Sequence, residues 1–217
     1  MPTLLTDPIM QLHALLAASP TRLMIGLVGV PGAGKTTLAA QWATHLNAAH
    51  GAGTAVALGM DGFHLTKAQL TQFADPVAAF VRRGAPWTFD AAGFVAALQN
   101  VRRAGGVAAA SWPGFEHNIG DPIADATTVP AATRIVIVEG LYLLHDADGW
   151  EHVRGQLDEC WYLDTPLPIA MERLANRHMQ AWGFTRQQAD ARISTNDGLN
   201  AQLVADSAAR ADFLIRP

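Results

Sequence analysis

Gly29-Val30-Pro31-Gly32-Ala33-Gly34-Lys35-Thr36 fits the pattern G-x-x-x-x-G-K-[ST], whose chemistry is the binding of phosphate. Glycines at these places let successive backbone N–H groups curl round an anion. The start of a following helix adds partial positive charge, and Lys35 can reach the outer phosphates. Thr36 is placed to ligate magnesium, and Thr37 ends the stretch expected to touch nucleotide. Lys35 is one of two lysines in a chain whose other cations are arginines, so a compact ammonium stands where a point charge is useful. The apolar run Leu23–Val28 before the loop reads as a buried strand and residues 37–43 after it as a helix. The alternative is a plain glycine turn between strand and helix, which both flanks weigh against.

Asp61 directly follows a second strand-like run, residues 54–60, so its carboxylate should emerge at the same sheet edge as the loop. That suits a general base that takes the proton of an acceptor hydroxyl. The alternative is a turn cap, with Gly62 relaxing the backbone. Glu139 ends the aliphatic run 134–138, and a carboxylate at the end of a buried strand needs a cation or donors to offset its desolvation. It too could be a cap, before Gly140. Thr36, Asp61 and Glu139 together offer the hydroxyl, carboxylates and room for water that magnesium accepts. Arg173 and Arg177 lie one helical turn apart and could clamp a phosphoryl group in transit. Arg186 and Arg192 fall in a Gly-containing stretch suited to a closing lid. Each arginine taken alone reads first as a solvated surface residue, since arginine is this chain's default cation, and the functional reading rests on the group.

These side chains need a frame. Strand-like runs at Leu23–Val28, 54–60, 107–110, 134–138, 160–163 and Phe213–Ile215 alternate with helical stretches near 90–103, 149–157, 167–179 and 197–208. Asp90 and Thr165-Pro166 are helix-start signals. Alternation of this kind implies α/β architecture with a mostly parallel, five-stranded sheet. Ile9, Leu12, Leu15 and Leu16 suggest a leading helix within residues 1–20. The irregular segments 61–89 and 180–196 should gather beyond the carboxyl ends of the strands, the first on the acceptor side and the second as a lid. With 217 residues, half of them hydrophobic, one core and one domain spanning 1–217 are expected.

A net charge of −4 argues against a broad nucleic-acid surface and for a small ligand. Cys160 opens an apolar run and reads as a strand residue, and as the single cysteine it excludes an internal disulfide. No run approaches the ~20 apolar residues that cross a bilayer, and no basic leader precedes Asp7, so a cytoplasmic protein without a membrane partner is expected. The oligomeric state is not fixed by the sequence, a homodimer being one option.

Taken in order, Gly29 to Thr37, Met60-Asp61-Gly62-Phe63-His64, Arg83-Gly84-Ala85-Pro86-Trp87-Thr88-Phe89-Asp90, Val138-Glu139-Gly140-Leu141-Tyr142 and Leu163-Asp164-Thr165-Pro166 resemble the P-loop kinase group that includes uridine kinase, pantothenate kinase and phosphoribulokinase. Bacterial members named as sugar-transport-associated or fructose kinases are also similar. The resemblance covers most of the chain. It implies a three-layer α/β/α P-loop nucleoside triphosphate hydrolase fold and ATP-dependent phosphorylation of a small-molecule hydroxyl with Mg2+. Asp61 matches the family's base, Glu139 its magnesium-associated acid and Asp90 an acceptor-side residue. His64 stands where the nucleoside kinases have a tyrosine, a departure that weighs against a nucleoside. Trp112-Pro113-Gly114-Phe115-Glu116-His117 is similar to the group's substrate-contacting loop.

The acceptor pocket is therefore expected around His64, Asp90 and His117, with Arg82, Arg83 and Glu116 behind them. Both histidines could instead be rim or core residues, and Asp90 a helix cap. Trp87, Phe89, Trp112 and Phe115 read as core or as pocket wall. A regulatory nucleotide hydrolase is the rival function, although neither N-K-x-D nor L-S-G-G-Q occurs.

Overall fold

The computed structural model describes residues 2–116 and 119–216. In chain order the elements are β1 (Thr3–Leu4), α1 (Pro8–Ala18), β2 (Leu23–Val28), α2 (Lys35–His50), β3 (Ala55–Gly59), α3 (Lys67–Leu70), α4 (Pro76–Val81), α5 (Ala91–Ala104), β4 (Ala110–Glu116), β5 (Asp121–Val129), β6 (Ile135–Gly140), β7 (Glu159–Leu163), α6 (Leu167–Trp182), α7 (Arg186–Arg192), α8 (Gly198–Asp206) and β8 (Phe213–Ile215). Six strands pair in the order β1-β8-β7-β2-β6-β3, all in parallel, in a three-layer α/β/α arrangement. Burial of Ile135, Val136, Ile137 and Val138 reflects cover on both sheet faces. Helix starts are chemically specified: Asp7 caps α1 by accepting from the Met10 N–H at 2.8 Å, and Pro8 occupies the position where no N–H is needed.

The sheet has six strands rather than five. The added edge is Thr3–Leu4, too short for periodicity to reveal, held by the Leu5 N–H donating to Leu214 O at 2.7 Å. The run at 107–110 is not a sheet strand. Val107 is exposed, and the chain becomes extended only at Ala110, where β4 pairs with β5 in a separate antiparallel hairpin. Residues 149–157 form two 3-10 turns, Trp150–His152 and Arg154–Gln156, in place of an α-helix; Gly149 enters them in the left-handed conformation. Other boundaries move by a few residues, chiefly at α6, which runs on to Trp182.

The hairpin packs where β3 turns into the next segment. Trp112 is buried and donates its indole N–H to Gly59 O at 2.8 Å. Phe63 meets Trp112 edge-on at 4.9 Å and Phe94 at 5.0 Å. The irregular turn after β3 is thereby clamped between α5 and the hairpin.

Candidate active site

The phosphate loop runs between β2 and α2, and its shape depends on two glycines. Gly32 and Gly34 have φ of +79° and +102°, and a Cβ on Gly32 would stand 2.1 Å from Ala170 O. The Ala33 N–H donates to Val30 O at 3.0 Å. The Ala33 carbonyl in turn accepts from the Thr165 hydroxyl at 3.1 Å and from Arg173 Nη1 at 3.4 Å, which ties the start of α6 to the loop. Lys35, first residue of α2, is buried, and its ammonium donates to Val30 O at 3.2 Å. Burial pushes its pKa down; Glu139 and then Asp61 oppose that, while Arg177 adds to it. An ammonium held with one carbonyl acceptor is suited to an arriving phosphate.

Parallel pairing supplies the neighbouring acids. Register sets Leu27 beside Glu139 and Gly59 beside Glu139 from the other side, so the ends of β2, β6 and β3 share one edge. The Thr36 hydroxyl donates to Glu139 Oε1 at 2.8 Å. Burial raises the Glu139 pKa, Lys35 lowers it, Asp61 raises it, and the Thr36 bond and Arg177 lower it. A desolvated carboxylate tied to a threonine hydroxyl, with a second carboxylate acting on it, is a donor set that fits magnesium retaining several waters. Among the described residues no group of three or more His, Cys, Asp and Glu is placed to hold a metal.

Asp61 sits exposed in the 3-10 turn Met60–Phe63. Gly62 is required there for space: a Cβ would lie 2.3 Å from Pro113 O. His64 follows, with Nδ1 2.8 Å from Asp61 O and its ring against Phe89 at 4.0 Å and Phe115 at 4.6 Å. These groups line a cleft of about 320 Å³ that also takes in Pro31, Gly32, Arg83 and Arg177.

Not every expected residue lies there. Asp90 caps α5, accepting from the Gly93 N–H at 2.8 Å, and is outside the lining. Arg82 donates to Asn200 Oδ1 at 3.2 Å and stands behind the wall. Arg83 lines the cleft but donates to Leu65 O at 2.8 Å, to Asp121 Oδ1 at 3.1 Å and to Gly120 O. Glu116 is exposed at the end of β4 and outside the lining, and His117 lies outside the described residues. Arg173 contacts the loop without lining the cleft. Phe89 and Phe115 are wall, Trp112 is core, and Trp87 is exposed against Phe73.

The lining also includes His178, Trp182, Asp197 and Asn200, which sequence reasoning did not single out. His178 and Trp182 are four apart on α6 and follow Arg177, a face that helical spacing could have revealed. Asp197 ends a π-helical turn, Ile193–Asp197, for which no pattern warns.

The model of the phosphoribulokinase / uridine kinase family matches residues 24–216. A uridine kinase candidate of Schizosaccharomyces pombe, C227.14, is 34% identical over 196 residues, covering 90% of this chain and 83% of its own. The ATP-dependent kinase-like protein notR' of Aspergillus versicolor is 39% identical over 148 residues, 65% of this chain and 84% of its own. Among solved structures, a candidate fructose transport system kinase from Silicibacter sp. TM1040 superposes with a TM-score of 0.83 at 31% identity, covering 97% of this chain and 100% of that one.

Proposed function

Since the chain belongs to the phosphoribulokinase / uridine kinase family of P-loop kinases, we propose that it transfers the γ-phosphate of Mg-ATP to a hydroxyl of a small metabolite, a sugar, nucleoside or pantothenate-like alcohol. The observation that carries this reading is that Lys35, Thr36, Asp61 and Glu139 line one cleft at one sheet edge, with the Thr36 hydroxyl bonded to Glu139 at 2.8 Å. Asp61 takes the hydroxyl proton as the acceptor oxygen bonds to phosphorus, and the bond from phosphorus to the bridging oxygen of ADP breaks. Lys35 and the loop amides hold the phosphates, and Arg177, with Arg173 behind it, meets the charge that shifts during transfer. Magnesium, held through Thr36, Glu139 and Asp61 with water, would supply further neutralisation of the phosphates.

Residues 180–196 act as the lid that keeps water from the phosphate. No helix among the described residues is long and apolar enough to cross a membrane, and a cytoplasmic setting with free access to ATP suits the reaction. The name of the bacterial structural neighbour puts sugars among the acceptors to try first. ADP formation with and without a panel of sugars, nucleosides, pantothenate and glycerate tests the reading. A kinase is stimulated and yields a phosphorylated product, whereas a rate indifferent to every alcohol, with phosphate released to water, points to a regulatory hydrolase instead.

A further inference from the structure

The arginines around the cleft are not equally engaged. Arg173 touches the phosphate loop at Ala33 O, and Arg177 acts on Lys35 and Glu139, so both belong to the nucleotide end. Arg83 is occupied through both terminal nitrogens by Gly120, Leu65 and Asp121. Arg192 differs. Its Nε, like that of Arg83, is buried without a hydrogen-bond partner and has Asp197 Oδ2 at 3.9 Å, but among the described residues its terminal nitrogens make a single contact, from Nη2 to Arg83 O at 3.5 Å. A guanidinium has five N–H donors; the buried Nε is closed to a ligand, but Arg192 lines the cleft and its terminal nitrogens have N–H groups left to donate to an anion.

Packing holds Arg192 in place. Its Cζ lies 5.5 Å from the Trp182 ring centroid, Trp182 stacks on His178 at 4.5 Å and 11°, and His178 Nε2 is 2.9 Å from Asp197 Oδ2. The π-helical turn that carries Asp197 is docked on the acceptor wall, where Asn196 Nδ2 donates to Arg83 O at 3.0 Å. Arg192 therefore stands against the Arg83 corner, and its contacts are with that wall and the lid.

Building on the kinase reading of the cleft, we infer that Arg192 binds an anionic group, carboxylate or phosphate, on the acceptor alcohol, so that the substrate is a small hydroxy acid or a phosphorylated polyol rather than a neutral sugar or nucleoside. The planar fork of arginine matches both anions. Asp61 and Glu139 repel an anion while Arg192 attracts it, which orients the acceptor with its hydroxyl toward Asp61 and its charge toward Arg192. About 320 Å³ for the reacting phosphate and the acceptor together leaves room only for a small one. Asp197 is a positioning residue that acts through Arg192 and His178.

The test is steady-state ADP formation by the full chain on matched pairs: glycerate against glycerol, pantothenate against pantothenol, and ribose 5-phosphate against ribose. The anionic member of at least one pair is expected to exceed its neutral partner about tenfold or more in kcat/KM, as charged hydrogen bonds do. Arg192→Gln should erase that margin by raising the acceptor KM roughly 10–100-fold, with the ATP KM moving less than about twofold, and Arg192→Lys should retain part of it. The carboxylate and phosphate pairs separate the two sources of charge. Preference for a neutral member, a charge preference that survives in Arg192→Gln, or an increase confined to the ATP KM overturns the assignment and leaves the kinase reading standing. Should no member stimulate ADP formation, thermal melting with an unreactive ATP analogue decides. Anionic members must then raise the melting temperature of the native chain and not of Arg192→Gln, and equal or absent shifts overturn the inference.

Discussion

Thr36 and Glu139, 103 residues apart in the chain, meet through a 2.8 Å hydrogen bond from the threonine hydroxyl to Oε1. The bond joins the first turn of the helix after the phosphate loop to the end of the neighbouring parallel strand. It presents one hydroxyl and one desolvated carboxylate together. Glu139→Gln keeps an acceptor oxygen for Thr36 but removes the charge. The magnesium concentration for half-maximal ADP formation is expected to rise about 10–100-fold, read from a magnesium titration at saturating ATP. An unchanged requirement would remove Glu139 from the metal set.

Asp61→Asn separates binding from chemistry. The amide preserves size, so affinity for a fluorescent ATP analogue should stay within about threefold, while kcat falls by roughly 10²–10⁴ with loss of the proton acceptor. Lys35→Ala is the contrast, because it removes the ammonium beside Val30 O and should weaken nucleotide binding as well as turnover. Full activity in purified Asp61→Asn would be decisive against its role as base.

How much of this was legible in the sequence follows from where each feature's information resides. The phosphate loop and the acids at the ends of β3 and β6 were legible because spacing alone puts them at one sheet edge. The β4–β5 hairpin was not. Pro113 and Pro122 interrupt it, and a register shift between Trp112 and Gly114 breaks the alternation, so no period of two survives. The pairing of His178 with Asp197 spans a π-helical turn that no hydrophobic period encodes. Asp90 lies in a family motif yet makes a helix cap, a role that its position before Ala91 had left open.

Gly62 links the hairpin to the base. Its backbone conformation is open to any residue, but a Cβ would stand 2.3 Å from Pro113 O and 2.5 Å from Pro113 C. Backbone must yield on one side. Gly62→Ala should cost about 1–3 kcal/mol of stability, as overpacking does, measured by urea unfolding. Because Asp61 is the preceding residue, kcat should fall further than stability alone explains while the ATP KM holds. A variant with native stability and native kcat would show that the hairpin does not set the position of the base.

The His178 and Asp197 side chains are largely shielded from solvent, with relative exposures of 4% and 14%, and they meet at 2.9 Å. Asp197→Ala leaves the imidazole without its acceptor and should cost about 1–3 kcal/mol, the penalty for stranding a buried polar group. The double substitution His178→Phe with Asp197→Leu removes both partners, and Phe can still stack on Trp182, so more than half of that loss should return. Turnover should not return with it, because Arg192 will have lost the carboxylate beside its guanidinium. Urea unfolding of Asp197→Ala and of the double variant, with kcat/KM measured on each, separates the structural role of the pair from its role in the cleft. Recovery of activity in parallel with stability would assign the pair to packing alone.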